Sequence, residues 1–181
     1  FSKRWVKNSF RFALFAKKTA FIEKGNIPVV LCASGPSLKS SLSFIKEYRK
    51  HFFLAAVSSA LLPLLNHEIV PDLVVSTDGG YYAKRHLTKL CKNNLIPLAL
   101  PLEGASYSKI LKENILIPLS YGDGISEDIL FEFGFKGTKA KRNGTVSGTT
   151  ANLALDFTSA DVFFCGLTGV YSLVLPRPRG N

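Results

Sequence analysis

Apolar residues in this chain fall in short unbroken runs: "PVVLCAS" (28–34), "FFLAAVS" (52–58), "DLVVSTD" (72–78), "LIPLALPLE" (95–103), "NILIPLS" (114–120) and "DVFFCGLTG" (161–169). A run without polar alternation fits a strand buried on both faces. Between the runs the pattern changes to helical spacing, in "LKSSLSFIKEYRK" (38–50), "YYAKRHLTKLCK" (81–92), "SYSKILKE" (106–113), "ISEDILFEF" (125–133) and "VSGTTANLALDFTS" (146–159). "SALLPLLNHE" (59–68) reads as a short helix interrupted by Pro63. Residues 3–22 read as a leading helix, with Trp5, Val6, Phe10, Leu14, Phe15 and Phe21 among cations. The alternation predicts a Rossmann-like, three-layer α/β domain with a mainly parallel sheet of about six strands. The expected organisation is a basic amphipathic helix over 1–26, the α/β domain over 27–175, and a tail over 176–181 that suits a linker.

The 181 residues, 46% of them hydrophobic, suffice for one core and exclude a largely disordered chain. The chain opens on Phe1 and has no methionine, as expected of a piece of a longer protein. Net charge is +10, which favours anionic partners. Seven of the 23 basic residues lie in residues 1–24 (Lys3, Arg4, Lys7, Arg11, Lys17, Lys18 and Lys24), beside one acid, Glu23. Such a helix could touch a membrane surface, or pack on its own domain with its cations in water. No apolar run has the length of a membrane span. No aromatic-plus-basic pattern specific to nucleic acid is present. Cys32, Cys91 and Cys165 are odd in number and far apart, so neither a disulfide framework nor a zinc site is expected. Cys32 and Cys165 sit in apolar runs and read as buried, inert thiols, consistent with a reducing, cytoplasmic setting. No metal-ligand cluster is visible.

In open α/β sheets, ligands bind beyond the carboxyl ends of the strands. Four junctions there carry candidate chemistry. Ser34-Gly35-Pro36-Ser37 offers a tight turn and helix-start amides for a phosphate, or is an ordinary Ser-capped turn. Asp78 before Gly79-Gly80 could hold a ribose hydroxyl, a metal or a substrate group, or simply cap the next helix; His86 lies one or two turns on, an exposed residue or, with Asp78, a candidate catalytic residue that acts as base or orients the acceptor. In "KRNGTVSGTT", Lys141, Arg142, Asn143, Gly144, Ser147 and Thr149 form a second anion-binding lip, or a solvated loop before a capped helix. Tyr121-Gly122-Asp123-Gly124 could close over substrate, or be a plain turn.

Taken in order, "PVVLCASGPSL", "AAVSSALLPLLNHEIVPDLVVSTDGG" and "GTVSGTTANLALDFTSADVFFCGLTGVY" resemble the MptE-like domain, over about residues 4–171. That domain is shared by archaeal 6-hydroxymethylpterin diphosphokinases and bacterial Maf motility-accessory proteins of flagellin glycosylation. "RWVKNSFRF" is similar to a Trp-x-x-Asn helix that often precedes it. A more distant likeness reaches bacterial sialyltransferases that use CMP-sugars. The resemblance implies that Ser34, Gly35, Pro36 and Ser37 border a nucleotide phosphate, with Ser147 and Thr149 near the nucleotide and Asp78 on the substrate side. It implies a nucleotide or nucleotide-sugar ligand, CMP-type favoured, and a protein acceptor such as flagellin. Two departures stand out. The family's Gly-x-Asp strand end reads Gly166-Leu167-Thr168, and a paired-aspartate motif of the kinases is reduced to Asp78. Both weigh against a phosphoryl-transfer enzyme using ATP and Mg²⁺, which needs more carboxylates, and favour sugar transfer. A binding module that has lost its chemistry is the remaining alternative.

Overall fold

A computed structural model describes residues 2–90 and 95–167. The elements are α1 (Ser2–Phe15), β1 (Lys18–Thr19), β2 (Val29–Cys32), α2 (Leu38–Glu47), β3 (Phe53–Val57), α3 (Leu61–Asn66), β4 (Leu73–Val75), α4 (Tyr81–Leu87), β5 (Leu98–Pro101), α5 (Ser108–Glu113), β6 (Ile115–Ser120), α6 (Ile125–Glu132), β7 (Thr138–Lys139), α7 (Val146–Phe157) and β8 (Val162–Cys165). The sheet order is β1-β6-β5-β4-β3-β2-β8, with β7 also on β6. Every pairing is parallel. The chain winds outward from β2 to β6, then returns through α7 to place β8 on the other side of β2. The β2/β8 seam is therefore the topological switch point, where open α/β sheets offer a crevice.

The six expected strands are all present as the Rossmann-like α/β sheet, and the unbroken runs explain why. All four residues of β2 and all four of β5 are buried. Burial of an aliphatic side chain such as Leu31, Leu54 or Leu98 contributes about 1.5–3 kcal/mol each. Alternate positions face opposite layers. Val30, Cys32, Leu54, Ala56, Val74, Leu98 and Leu116 meet α1 to α6 on one face. On the other, Val29, Ala55, Leu73, Val75, Ala99, Ile117 and Leu119 meet α7, through Leu153, Ala154 and Phe157. Among the described residues, α7 is the one α-helix on that second face.

Two expectations are corrected. The leading helix stops at Phe15 rather than running to 22. Lys18 and Thr19 instead pair with Ile115 and Leu116, and Ala20 N–H donates to the Leu116 carbonyl at 2.8 Å. The open edge of β6 offers these amides partners that a further helical turn would have to replace. The lower half of that edge is taken by β1 and the upper half by β7, at Leu119 and Ser120. Of the two readings of α1, packing on its own domain is the one seen: Phe12 is fully buried and packs edge-on to Phe135 at 5.3 Å. Pro63 does not interrupt its helix. It stands in the first turn of α3, where the missing N–H leaves few bonds to lose. Cys91, Thr168 and the tail 176–181 lie outside the described residues.

Candidate functional site at the carboxyl edge of the sheet

All the candidate junctions follow strand carboxyl ends, so parallel pairing brings them to one edge. The Ser34-Gly35-Pro36-Ser37 turn leaves β2 and is held from both sides. Ala33 N–H donates to the Cys165 carbonyl and Gly35 N–H to the Gly166 carbonyl, each at 2.8 Å. From the turn after β3, the Ser59 hydroxyl donates to Ser34 Oγ at 2.8 Å. Ser34 and Pro36 are exposed; Gly35 and Ser37 are half-buried. The glycine that makes this packing possible is Gly166, with φ +70°. A Cβ there would strike the Ala33 carbonyl oxygen and sit 3.1 Å from Leu38 Cβ. Gly35 N–H is spent on β8 rather than aimed outward. Leu38 and Lys39 N–H likewise return to the Gly35 and Pro36 carbonyls. The turn therefore offers its exposed Ser34 hydroxyl more than a fan of free amides.

Thr145 starts α7 by accepting a hydrogen bond from Gly148 N–H at 3.0 Å, after Gly144 at φ +69°. Asn143 Nδ2 donates to the Lys141 and Gly148 carbonyls, both at 3.2 Å. Gly148 is tight against this loop, since a Cβ would approach Asn143 Cβ to 2.9 Å. Thr149 is buried and donates to the Lys141 carbonyl at 3.3 Å. Ser147 is half-buried in the first turn. Val146 packs on the cluster that includes Ala33 and Leu38. The lip and the Ser34 turn thus meet along one stretch of the edge.

Asp78 is two strands away from the turn, about 10 Å by strand spacing. Its Oδ1 accepts from Gly80 N–H at 2.8 Å, tying the loop into the start of α4. His86 is near the far end of that helix and exposed, so the structure does not bring it to Asp78.

Two of the candidate loops meet through an ion-pair cluster that the sequence does not show. Arg142 Nη2 reaches Glu103 Oε1 at 3.1 Å and Asp123 Oδ1 at 2.8 Å, with its guanidinium 4.1 Å from the Tyr121 ring centroid. Loops after β5, β6 and β7 are joined in this way. The Glu103 side chain is 12% exposed and Oε2 lacks a protein partner, whereas Asp123 is 63% exposed. Burial pushes the Tyr121 hydroxyl up, against the opposing pull of Arg142. Behind Glu103 stands Asn8, 2% exposed. Its Nδ2 donates to the Glu103 carbonyl at 2.7 Å, and its Oδ1 accepts from Arg11 at 2.6 Å. Gly79 lies against the same bond, where a Cβ would come 2.7 Å from that carbonyl. The Asn of the Trp-x-x-Asn pattern is therefore a strut beneath the edge. That motif was the available signal for it; nothing comparable pointed to Glu103.

The described residues hold no group of three or more His, Cys, Asp or Glu side chains placed to share a metal ion, and no helix long and apolar enough to cross a membrane.

The 6-hydroxymethylpterin diphosphokinase MptE-like family matches residues 3–171, a span that takes in α1, the whole sheet and every junction above. The chain belongs to the MptE-like family. An uncharacterized protein of Treponema pallidum (strain Nichols) is 27% identical over 170 residues, covering 92% of this chain and 36% of that protein. The solved structure of the MAf glycosyltransferase from Magnetospirillum magneticum AMB-1 aligns with a TM-score of 0.66 at 14% identity, over 91% of this chain and 27% of that one. At that identity the likeness concerns the MptE-like fold alone. The chain spans about a third of the length of these relatives or less.

Proposed function

We propose that this MptE-like domain binds a nucleotide-activated sugar, of the CMP-nonulosonate type, and takes part in glycosyl transfer to a protein hydroxyl such as one of flagellin. The observation that carries the reading is the meeting of the Ser34 turn with the start of α7 at one edge. Val146 sits on the cluster of Ala33 and Leu38, and the loop that leads into α7 carries the exposed cation Lys141. The Ser34 hydroxyl, the start of α7 and the Lys141 cation suit a phosphate that gains charge as it leaves, while Arg142 is held by Glu103 and Asp123. In the reaction, the bond from the sugar's anomeric carbon to the phosphate oxygen breaks, and the phosphate keeps the electron pair. The acceptor hydroxyl forms the new bond and gives up its proton, for which Asp78 is the candidate base. Family membership and the fold shared with a MAf glycosyltransferase support this reading.

A diphosphokinase acting with ATP and Mg²⁺ is the second reading, favoured by the family's description. The carboxylates fit a magnesium site poorly, because one guanidinium already engages both Glu103 and Asp123. A thermal-shift series with CMP, CDP, UDP, GDP, ADP and ATP, with and without Mg²⁺, separates the two. At a hundred times Kd a ligand adds about 2.7 kcal/mol, or a rise of roughly 5–10 °C for a chain of this size. CMP is expected to raise Tm without metal, and Gly35→Val to abolish the rise while leaving the fold. A rise with ATP and Mg²⁺ alone would replace the proposal with the kinase, and no rise with any nucleotide would reject nucleotide binding.

A further inference from the structure

We propose that Cys32 and Cys165 form a two-electron redox site that closes to a disulfide between β2 and β8 when a peroxide reaches Cys165. The two residues are register partners in adjacent parallel strands, 133 positions apart in sequence by their numbers, 165 against 32. Register partners place their side chains on the same face, with Cα atoms one strand spacing apart, about 4.8 Å. That falls within the span of about 4.4–6.8 Å that disulfides bridge. Both thiols are free, and they are close enough to shift each other's ionisation in opposite directions.

Their environments differ in the way such a pair requires. Cys32 is fully buried among Val30, Leu38, Leu42 and Leu54. Cys165 is half-buried and lines a cleft of about 440 Å³ between β8 and α2, walled by Phe44, Tyr48, His51, Phe163 and Phe164. A peroxide is little larger than a water molecule, whose share of liquid volume is about 30 Å³, and enters such a cleft easily. The hydrogen bond from Cys32 lowers the Cys165 thiol, and burial, which opposes ionisation, is outweighed; the Ser41 hydroxyl adds to the lowering. The same bond, followed by burial, raises the Cys32 thiol. One sulfur is thus the attacking thiolate, and the other stays protonated behind it.

The chemistry balances with one peroxide. The Cys165 thiolate attacks a peroxide oxygen, the O–O bond breaks, and hydroxide leaves to take up a proton as water. The Cys165 sulfenic acid is then attacked by the Cys32 sulfur as its proton passes to the sulfenic hydroxyl, so that the attacking species is the thiolate. The S–S bond forms, and the sulfenic hydroxyl departs with the Cys32 proton as a second water. Two thiols are oxidised and one peroxide is reduced to two waters. The bridge would lie directly below the Ser34 turn, because Ala33 N–H already bonds to the Cys165 carbonyl. It forms whatever that turn binds, so its test does not depend on the nucleotide proposal.

The experiment uses the full chain with Cys91→Ser, so that only the pair can react. Hydrogen peroxide is added, free thiols are blocked with N-ethylmaleimide, and the protein is digested without reductant for mass spectrometry. The expected product is one peptide pair joined through Cys32 and Cys165, with both thiols lost together and both restored by dithiothreitol. Cys32→Ser, which keeps nearly the same volume, should leave the Cys165 sulfenic acid unresolved and raise its labelling by dimedone several-fold. Oxidation of Cys165 with Cys32 still alkylatable after unfolding would overturn the proposal. So would equal dimedone labelling in the parent and in Cys32→Ser, or a disulfide joining two chains through Cys165.

Discussion

Replacing Gly166 by alanine tests how the turn after β2 is held. Gly166 and Gly122 share a left-handed backbone, with φ +70° and +75°. A side chain in that region costs about 1–2 kcal/mol at either position. Around Gly122 there is nothing within 4 Å of an added Cβ, so Gly122→Ala measures strain alone. At Gly166 the same methyl meets backbone, the Ala33 carbonyl carbon at 2.8 Å and Leu38 Cβ at 3.1 Å. The turn must withdraw from β8, weakening the bonds from Ala33 N–H to the Cys165 carbonyl and from Gly35 N–H to the Gly166 carbonyl, both 2.8 Å. At about 0.5–1.5 kcal/mol per bond, Gly166→Ala should lose roughly 1–3 kcal/mol more than Gly122→Ala. Urea unfolding followed by far-UV circular dichroism and by the single Trp5 reads the difference, and coincident transitions by the two probes justify a two-state treatment. A Gly166→Ala loss within about 0.5 kcal/mol of that of Gly122→Ala would refute the close packing of the turn on β8, taking the smallest bond value as the margin.

Three further outcomes follow from the same geometry. Asn8→Ala strands the Glu103 carbonyl and leaves Arg11 only its longer bond to the Ala105 carbonyl, and should cost about 1–3 kcal/mol in denaturant unfolding; a loss near zero would deny it the role of strut. In double-mutant cycles, the coupling of Arg142 with exposed Asp123 should stay below about 1 kcal/mol and fade with salt. Its coupling with Glu103, 12% exposed, should be the larger of the two; the reverse order would contradict the burial assigned to Glu103. The Cys165 thiol is lowered to about 6 by the hydrogen bond from Cys32. Since only the thiolate reacts, iodoacetamide alkylation of Cys165 should rise through about pH 6 and level off, whereas an ordinary thiol keeps climbing toward about 8.5. A profile still rising at that pH would contradict the lowering.

The fold was legible because each inner strand is a separate apolar run. "VVLC", "FLAAV" and "LALP" need no alternation to be recognised once every position in them is buried or nearly so. The two-residue strands were not legible, since Lys18–Thr19 and Thr138–Lys139 are too short for any period and exist by virtue of the edge of β6. The junctions could be placed at one edge from strand order alone. What filled the edge could not, because Glu103, Asp123 and Arg142 come from three loops whose meeting depends on the sheet. The cysteines show the same limit more sharply. Each in its own run looks like an inert core thiol, and only register makes Cys32 and Cys165 partners.

The position of α7 has a consequence for how this molecule can change over generations. Its first turn shapes the candidate edge, and its next two turns, through Leu153, Ala154 and Phe157, cover Val29, Ala55, Leu73 and Val75 on one side of the sheet. Retuning specificity by shifting the helix start would therefore disturb the shielding as well. New preferences should arise more readily through exposed side chains of the edge, such as Asp123 and Lys141, which can change while α7 stays anchored.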